Sequence, residues 1–415
     1  MSNFENDLKL NENNKLKEKN SNLEKEIELL NKEIQKLKEN INELKEKIKT
    51  IQKENEKLKN VKKVKNINKK FEFKYDFFSN SLDINEIKLN LQEDLIDYQQ
   101  FTKNNNKLNP NIIKEITDFL QECVDQCNSN YKVKLYGSRA TNLCLMWSDL
   151  DYVIVNENNN NNNNNNEINS YKFLDLLNEK ISKQNWVKNI KYISSAKIPI
   201  IKVVTTEKYN KIPIDISMEN SGHFGLKSVE LVKEYLNKYE SLEPIVFAIK
   251  TLLKLSNLND PYSGGISSYG IVLMIVNFLI YKNNKREKIS IDNIGSLFYE
   301  FLFFYGSRID TNFINVTNNE EINLGIENLS PFQLYIVDPL NLNNNVGKST
   351  FQYLNIKTMF LLALQSLKEE CYCDCHYNIS SNNHNNKIEN YYNHNCLKKM
   401  FNAVRRITIN YNIGF

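Results

Sequence analysis

No charge of one sign dominates this 415-residue chain: 54 lysines and arginines stand against 50 aspartates and glutamates. A net charge of +4 names no polyanionic partner, so any nucleic-acid surface must be local. Long hydrophobic runs are missing too. The most apolar stretch, IVLMIVNFLI from Ile271 to Ile280, is shorter than the roughly 20 apolar residues a bilayer span needs, and no membrane association is expected. Seven cysteines, odd in number and irregularly spaced, make no disulfide framework and point to a reducing compartment. The opening MSNFEN lacks the basic-then-apolar run of a signal peptide, so an intracellular protein is expected. Glycine (11) and proline (7) are scarce beside abundant lysine, asparagine and isoleucine, a bias that carries no functional reading. What is present in quantity is core-forming material. With 41% hydrophobic residues, 22 Tyr and 21 Phe, the chain can fill two domains and still carry an extension.

Apolar residues recur in steps of three and four from Leu16 to Leu58, with Ile27, Ile34, Ile41 and Ile48 at a and Leu30, Leu37 and Leu44 at d. This heptad pattern predicts a parallel two-stranded coiled coil over 1–64, and hence self-association, with Asn20 and Asn55 at a positions fixing its register. A basic linker follows over 65–81, continuing the lysine-rich VKKVKNINKK of 61–70. It reads first as a solvated tether; a nuclear-import signal or weak RNA contact is the second reading, which puts the nucleus ahead of the cytoplasm. Helices are expected from Asn85 to Tyr98, packing on the later helical region, and from Pro110 to Cys127, opened by Asn109-Pro110. Short strands are expected at Val133 to Tyr136, Leu150 to Val155, Ile198 to Thr205 and Ile212 to Ser217, with a helix at Tyr171 to Lys183. The asparagine run 158–166 reads as a surface loop. From Lys227 helices take over: Val229 to Tyr239, Glu243 to Leu255, Ser268 to Tyr281, Ile291 to Tyr305 and Thr350 to Lys368. The expected layout is coil (1–64), linker (65–81), a packing helix (82–108), a small α/β catalytic unit (109–219) and a helical domain (220–415).

Chemistry concentrates in LYGSRATNLCLMWSDLDYVIV, from Leu135 to Val155. Asp149 and Asp151 are two residues apart at the head of an apolar strand and share one face, where they repel unless a cation lies between. Asp215, in KIPIDIS, projects opposite to Ile214 and Ile216, so pairing of the two strands would bring three carboxylates together. Hard oxygen ligands of this kind select Mg²⁺ or Mn²⁺, and two such ions about 4 Å apart serve an in-line phosphoryl displacement. Gly137 permits close backbone approach and Ser138 offers a hydroxyl for phosphate oxygens, with a helix expected to begin within Ala140 to Leu145.

The Gly137 to Asp151 pattern, followed by PIDIS, resembles the polymerase β nucleotidyltransferase signature. GGISSYGIVLMIVNFLI (Gly264 to Ile280) and VDPLNLNNNVGKST (Val337 to Thr350) resemble the PAP-associated region of non-canonical poly(A) polymerases and terminal uridylyltransferases. The resemblance implies an α+β fold: a polymerase β-like nucleotidyltransferase palm, a helical PAP-associated central domain, and the active site in the cleft between them. It implies a template-independent enzyme that adds nucleotides to RNA 3′ ends. Asp149, Asp151 and Asp215 would be the metal-binding catalytic triad, with Asp215 serving the RNA 3′-hydroxyl, and Gly137 and Ser138 would grip the β and γ phosphates. Lys250 and Lys254 share a helical face, ordinarily just a solvated stripe; the family places such a pair on the triphosphate. Tyr269 would stack on the incoming base and Ser268 would contact phosphate. Base choice would fall to the loop with Asp338, Asn344 and Lys348. Asn at 344, where relatives that favour UTP often carry His, favours ATP, while Lys348 stands where the family usually has Arg. A uridylyltransferase is the alternative, a small-molecule or oligoadenylate-type transferase is disfavoured by the same loop, and a catalytically dead coiled-coil scaffold is the alternative outside the enzymes.

No RNA-recognition motif, KH signature or zinc knuckle is visible, so RNA grip is expected from the cleft, the basic linker or a partner, which resembles poly(A) polymerases that rely on a separate RNA-binding subunit. Cys371, Cys373, Cys375 and His376, with His384, His394 and Cys396, do not have a usual zinc spacing, and 371–396 is read as a Cys/His- and Asn-rich insertion. Cys123 and Cys127 are read as helix core residues.

Overall fold

A computed structural model describes residues 81–410, apart from 107, 157–169, 197, 220–223, 309–310, 318–332 and 378–394, together with Gln35. Apart from Gln35, the expected coiled coil and basic linker lie outside the described residues, as do the asparagine run, His384 and His394.

Five strands build the palm: β1 (Tyr131–Tyr136), β2 (Leu150–Asn156), β3 (Val187–Ile193), β4 (Ile200–Thr205) and β5 (Pro213–Met218), in the order β1-β2-β5-β4-β3. The β2–β5 pair is parallel and the other pairs are antiparallel. Alternation decides which side chains go inward: Leu150, Tyr152 and Ile154 of β2 join Ile214 and Ile216 of β5 in one core, leaving the intervening Asp151 and Asp215 on the other face. Two helices supply the rest of that core. The first is α2 (Pro110–Cys127), which follows α1 (Ser81–Asn105) in the chain. In α2 the Asn109 side chain accepts from the Asn111 N–H at 3.0 Å and Pro110 sits in the first turn, which needs no donor there. Its buried face of Ile116, Leu120, Cys123 and Val124 packs with Phe173, Leu174 and Leu177 of α4 (Ser170–Ser182); between them in sequence is α3, a single turn at Gly137–Ala140. Cys123 and Cys127 are free thiols on this helix, the former buried.

The second core belongs to the helical layer of α5 (Gly225–Lys238), α6 (Leu242–Leu255), α7 (Ser268–Asn284), α8 (Ile294–Ser307), α9 (Tyr353–Tyr377) and α10 (Cys396–Asn410). Helix α7 is apolar nearly all round and is accordingly buried from Gly270 through Val276. Although α1 precedes the palm in sequence, it packs against α6, α8, α9 and α10. At Gly295 a Cβ would lie 1.9 Å from the Lys88 carbonyl oxygen, so only glycine allows α8 this close to α1. Gln92 fastens the contact, donating to the Ile291 carbonyl and accepting from the Gly295 N–H at 3.0 Å. A small sheet of β6 (Phe313–Ile314), β7 (Tyr335–Asp338) and β8 (Asn341–Asn345) carries the loop expected to choose the base.

Four elements depart from the sequence reading. Strand β3, whose seven residues include Lys188, Asn189 and Lys191 in no regular alternation, was not among the expected strands. The helix expected within Ala140 to Leu145 begins instead at Gly137. Helix α9 runs on to Tyr377, past the expected end at Lys368, so Cys371, Cys373, Cys375 and His376 lie on its last turns. Cys396, placed in the insertion, opens the helix α10 and is buried.

Candidate active site

Strand register assembles the site. Asp151 and Asp215 are direct partners across the parallel β2–β5 pair, Tyr136 sits opposite Asp151 on β1, and Lys202 sits opposite Asp215 on β4. The row Tyr136, Asp151, Asp215, Lys202 therefore crosses four adjacent strands. Asp149, one residue before β2, completes a triad in which one carboxylate oxygen from each residue lies within 4.8 Å of the others. Like charges placed directly opposite destabilise a sheet. Here they are also drawn out of water: burial, then Asp149 and Asp215, hold the Asp151 carboxyl well above the usual carboxylate range. Asp215 is raised as well, chiefly by burial, and the Lys202 ammonium at 2.6 Å opposes that shift. A set of three hard oxygens whose negative charge Lys202 only partly offsets fits a divalent cation.

Gly137 meets two demands at once. Its φ of +68° favours glycine, and a Cβ there would stand 2.1 Å from Asp151 Oδ2. The turn of α3 can exist beside the triad only because no side chain intervenes. Arg139, also on α3, is buried and donates to the Asn106 carbonyl at 2.8 Å and the Ser148 carbonyl at 2.7 Å. It thereby ties the 141–148 loop, and with it Asp149, to the segment that joins α1 and α2.

Opposite the triad stands α6. The Lys250 ammonium is buried, donates to the Leu143 carbonyl at 2.7 Å, and is pushed down to about 8 by that burial. Lys254, one turn on, is exposed. Gly137, Ser138, the three aspartates, both lysines, Ser268 and Tyr269 line one cleft of about 510 Å³. At its inner end the Tyr269 hydroxyl donates to Asp338 Oδ1 at 3.2 Å, and the Asn344 side-chain amide donates to Asp338 Oδ2 at 3.0 Å. Asp338 is buried, and with burial it keeps the Tyr269 phenol protonated far above its ordinary range. Asp338 and Asn344 do not line the cleft themselves but join it through the hydrogen bond that Tyr269 donates to Asp338, and Lys348 is exposed and is not among the cleft-lining residues.

Sequence reading passed over Lys202, Arg139, Trp147 and Tyr262. For Lys202 a signal existed: it is the lone charge inside the strand IIKVVT. Arg139 and the two rings carry no such mark, since their roles arise from contacts distant in sequence.

The family model for the central palm domain of mitochondrial-like poly(A) RNA polymerase matches residues 90–237. Poly(A) RNA polymerase cid14 of Schizosaccharomyces pombe is 31% identical over 271 residues, covering 62% of this chain and 38% of the relative. The inactive non-canonical poly(A) RNA polymerase protein Trf4-2 of Drosophila melanogaster is 27% identical over 256 residues, covering 57% of this chain and 58% of that one. The chain therefore spans well under two thirds of the curated relatives it matches. Among solved structures, the polymerase core of TRAMP, a RNA surveillance complex, superposes with a TM-score of 0.59 at 23% identity, covering 75% of this chain and 94% of that one. That likeness establishes the fold of a polymerase β-like palm with its helical partner. With the palm matched by the family model and the triad held in strand register, the palm of this chain is similar to that of the mitochondrial-like poly(A) RNA polymerases.

Proposed function

We propose that this protein is a template-independent RNA nucleotidyltransferase that adds AMP from ATP to RNA 3′ ends. The observation that carries the proposal is the triad of Asp149, Asp151 and Asp215, set in register on the floor of a cleft whose opposite wall presents Lys250 and Lys254. Mg²⁺ or Mn²⁺ held by the three carboxylates would supply Lewis acidity at the α-phosphate and make the RNA 3′-hydroxyl easier to deprotonate. The chain's own groups do the rest. Ser138 and the amides of the α3 turn take the β and γ phosphates, and Lys250 and Lys254 neutralise them from α6. Lys202 opposes the upward shift that burial gives Asp215 and so favours the carboxylate form that can accept the proton of the attacking 3′-hydroxyl. The 3′ oxygen then bonds to the α-phosphorus as the bond to pyrophosphate breaks.

Base choice follows from Asp338. The Asp338 carboxylate takes the Asn344 amide nitrogen, which supports a fixed orientation of Asn344, the residue on which the preference for ATP over UTP turns. Tyr269, held by the same carboxylate, supplies a stacking face that is indifferent to base identity. The full reading includes self-association through 1–64 and, in the absence of an RNA-binding signature, a separate RNA-binding subunit.

The test is extension of a labelled single-stranded RNA with each ribonucleoside triphosphate in turn. ATP should give a ladder, Asp151→Asn should lower the rate by about 10²-fold or more, and Asn344→His should move preference toward UTP. Asp151→Asn should also melt higher than the parent, because like charges directly opposite in the sheet cost on the order of 1 kcal/mol. A parent protein that extends RNA with no nucleotide would instead align this chain with its inactive relative.

A further inference from the structure

Two large rings stand exposed at the mouth of the cleft, one from each lobe. Trp147, two residues before Asp149, is 42% exposed; Tyr262, between α6 and α7, is 64% exposed. Both line the same cleft as the triad, and among the described residues neither stacks on another ring. Exposed aromatics are usually unremarkable singly, but these two are mounted on stiff supports. Trp147 sits in a turn closed by the Ser148 N–H to the Leu145 carbonyl and by the Leu145 N–H to Ser148 Oγ, both 2.9 Å, with Arg139 gripping the Ser148 carbonyl. Tyr262 sits in a turn of 3₁₀ helix whose own N–H donates to Asp260 Oδ1 at 3.0 Å. That turn is clasped from below by Gln352, which donates its side chain to the Ser263 carbonyl and its backbone N–H to the Gly264 carbonyl.

One side chain fixes how near this platform is to the chemistry. The Lys202 ammonium is 2.6 Å from Asp215 Oδ2 and 5.3 Å from the Tyr262 ring centroid. The ring therefore lies within one nucleotide's reach of the carboxylate that serves the 3′-hydroxyl. The incoming nucleotide's base is claimed by Tyr269 and Asn344 at the other end of the cleft, so the bases near Tyr262 and Trp147 belong to the strand being extended.

We infer that Trp147 and Tyr262 form a stacking clamp for the last bases of the RNA 3′ end, an inference that rests on the nucleotide-transfer reading. A π-face accepts any base, and the clamp needs no sequence readout. It does rank bases by stacking strength, and purines stack better. An adenylate added in one cycle becomes the clamped base of the next, so the product of each step is a better substrate than a pyrimidine end.

The clamp is tested on the full chain by fluorescence anisotropy with 5′-labelled ten-residue oligo(A) and oligo(U), without nucleotide. Trp147→Ala and Tyr262→Ala should each weaken oligo(A) binding by about tenfold, the loss expected for one stacked base, and should narrow the gap between oligo(A) and oligo(U). Tyr262→Phe, which keeps the ring, should stay within about twofold of the parent. In extension assays the KM for RNA should rise in the alanine variants while the KM for ATP does not. Unchanged oligo(A) affinity in both alanine variants, or a parent that does not bind oligo(A), overturns the clamp. A parent that binds RNA through these rings yet extends it with no nucleotide leaves the clamp standing and overturns the transfer reading alone.

Discussion

At the scale of single residues, the site is defined by charges that the fold makes uncomfortable. Lys250 is the clearest: an ammonium that burial pushes down to about 8 is half neutralised already at about that pH. The sign follows directly. A lysine whose pKa is lowered on folding costs the native state while charged, so the nucleotide-free protein should gain stability as pH rises from about 8 toward the ordinary lysine value of about 10.4. On the proposed function the effect runs the other way, because the charged form is the one that would neutralise the triphosphate. The kcat/KM for ATP, which reports the free enzyme, should fall about tenfold per pH unit above about 8, and Lys250→Met should be low and flat over that range. A parent profile level to pH 9.5 would remove Lys250 from the triphosphate site. The same scale shows what can be read without coordinates. Asp149, Asp151 and Asp215 were legible because a charge inside an apolar alternation has no structural excuse. Trp147 and Tyr262 were not, because only the folded chain shows that two lone rings face one cleft.

At the scale of elements, the long helices and the buried strands were legible because their apolar periodicity is strong: α2 begins at Pro110 and ends at Cys127 as its start signal and pattern require. Strand β3 was not, since VKNIKYI is an edge strand with half its residues polar. Helix α10 was hidden for a different reason. Its moorings are remote: Asp94, on α1, accepts from the Leu397 N–H at 2.9 Å, reinforcing the local cap at Asn395. Burial, with Asp97 and Glu93 adding to it and the Leu397 and Cys396 N–H groups opposing it, leaves the Asp94 carboxyl pushed up to about 6. Because acidity is weakened on folding, this group's contribution is complete below about pH 4 and declines as pH climbs through about 6. Asp94→Asn keeps an acceptor for the cap and removes the buried charge. It should stabilise the protein at pH 7.5 by about 1–3 kcal/mol, with the difference vanishing near pH 4. A variant that melts lower than the parent at pH 7.5 would show the charge, and not the acceptor, to be what α10 needs.

At the scale of the whole molecule, palm and helical layer are two cores fastened by a few polar pins. Lys250 reaches across to the Leu143 carbonyl, and Arg139 holds the 141–148 loop to the connection between α1 and α2. Division into palm and helical partner was foreshadowed by the switch from short β-type runs to long apolar helices. The fastening was not, because a buried arginine in GSRAT looks like any surface charge until its two carbonyl partners, Asn106 and Ser148, are seen. Arg139→Lys keeps the charge but loses the fork. One carbonyl left without a donor costs roughly 1–3 kcal/mol, so the melting temperature should drop, and kcat should drop with it as Asp149 loses its mooring. Wild-type stability together with wild-type kcat would show the pin to be redundant.

The row Tyr136, Asp151, Asp215, Lys202 has one more consequence, for how the palm reaches its fold. Side chains alternate faces along a strand, so a slip of one residue between β4 and β5 would send Lys202 to the opposite face and strand Asp215 beside Asp151 with no cation near it. Misaligned sheets are thus penalised electrostatically before any substrate arrives. The residues that later turn over a phosphate bond first act as a proofreading code for strand alignment.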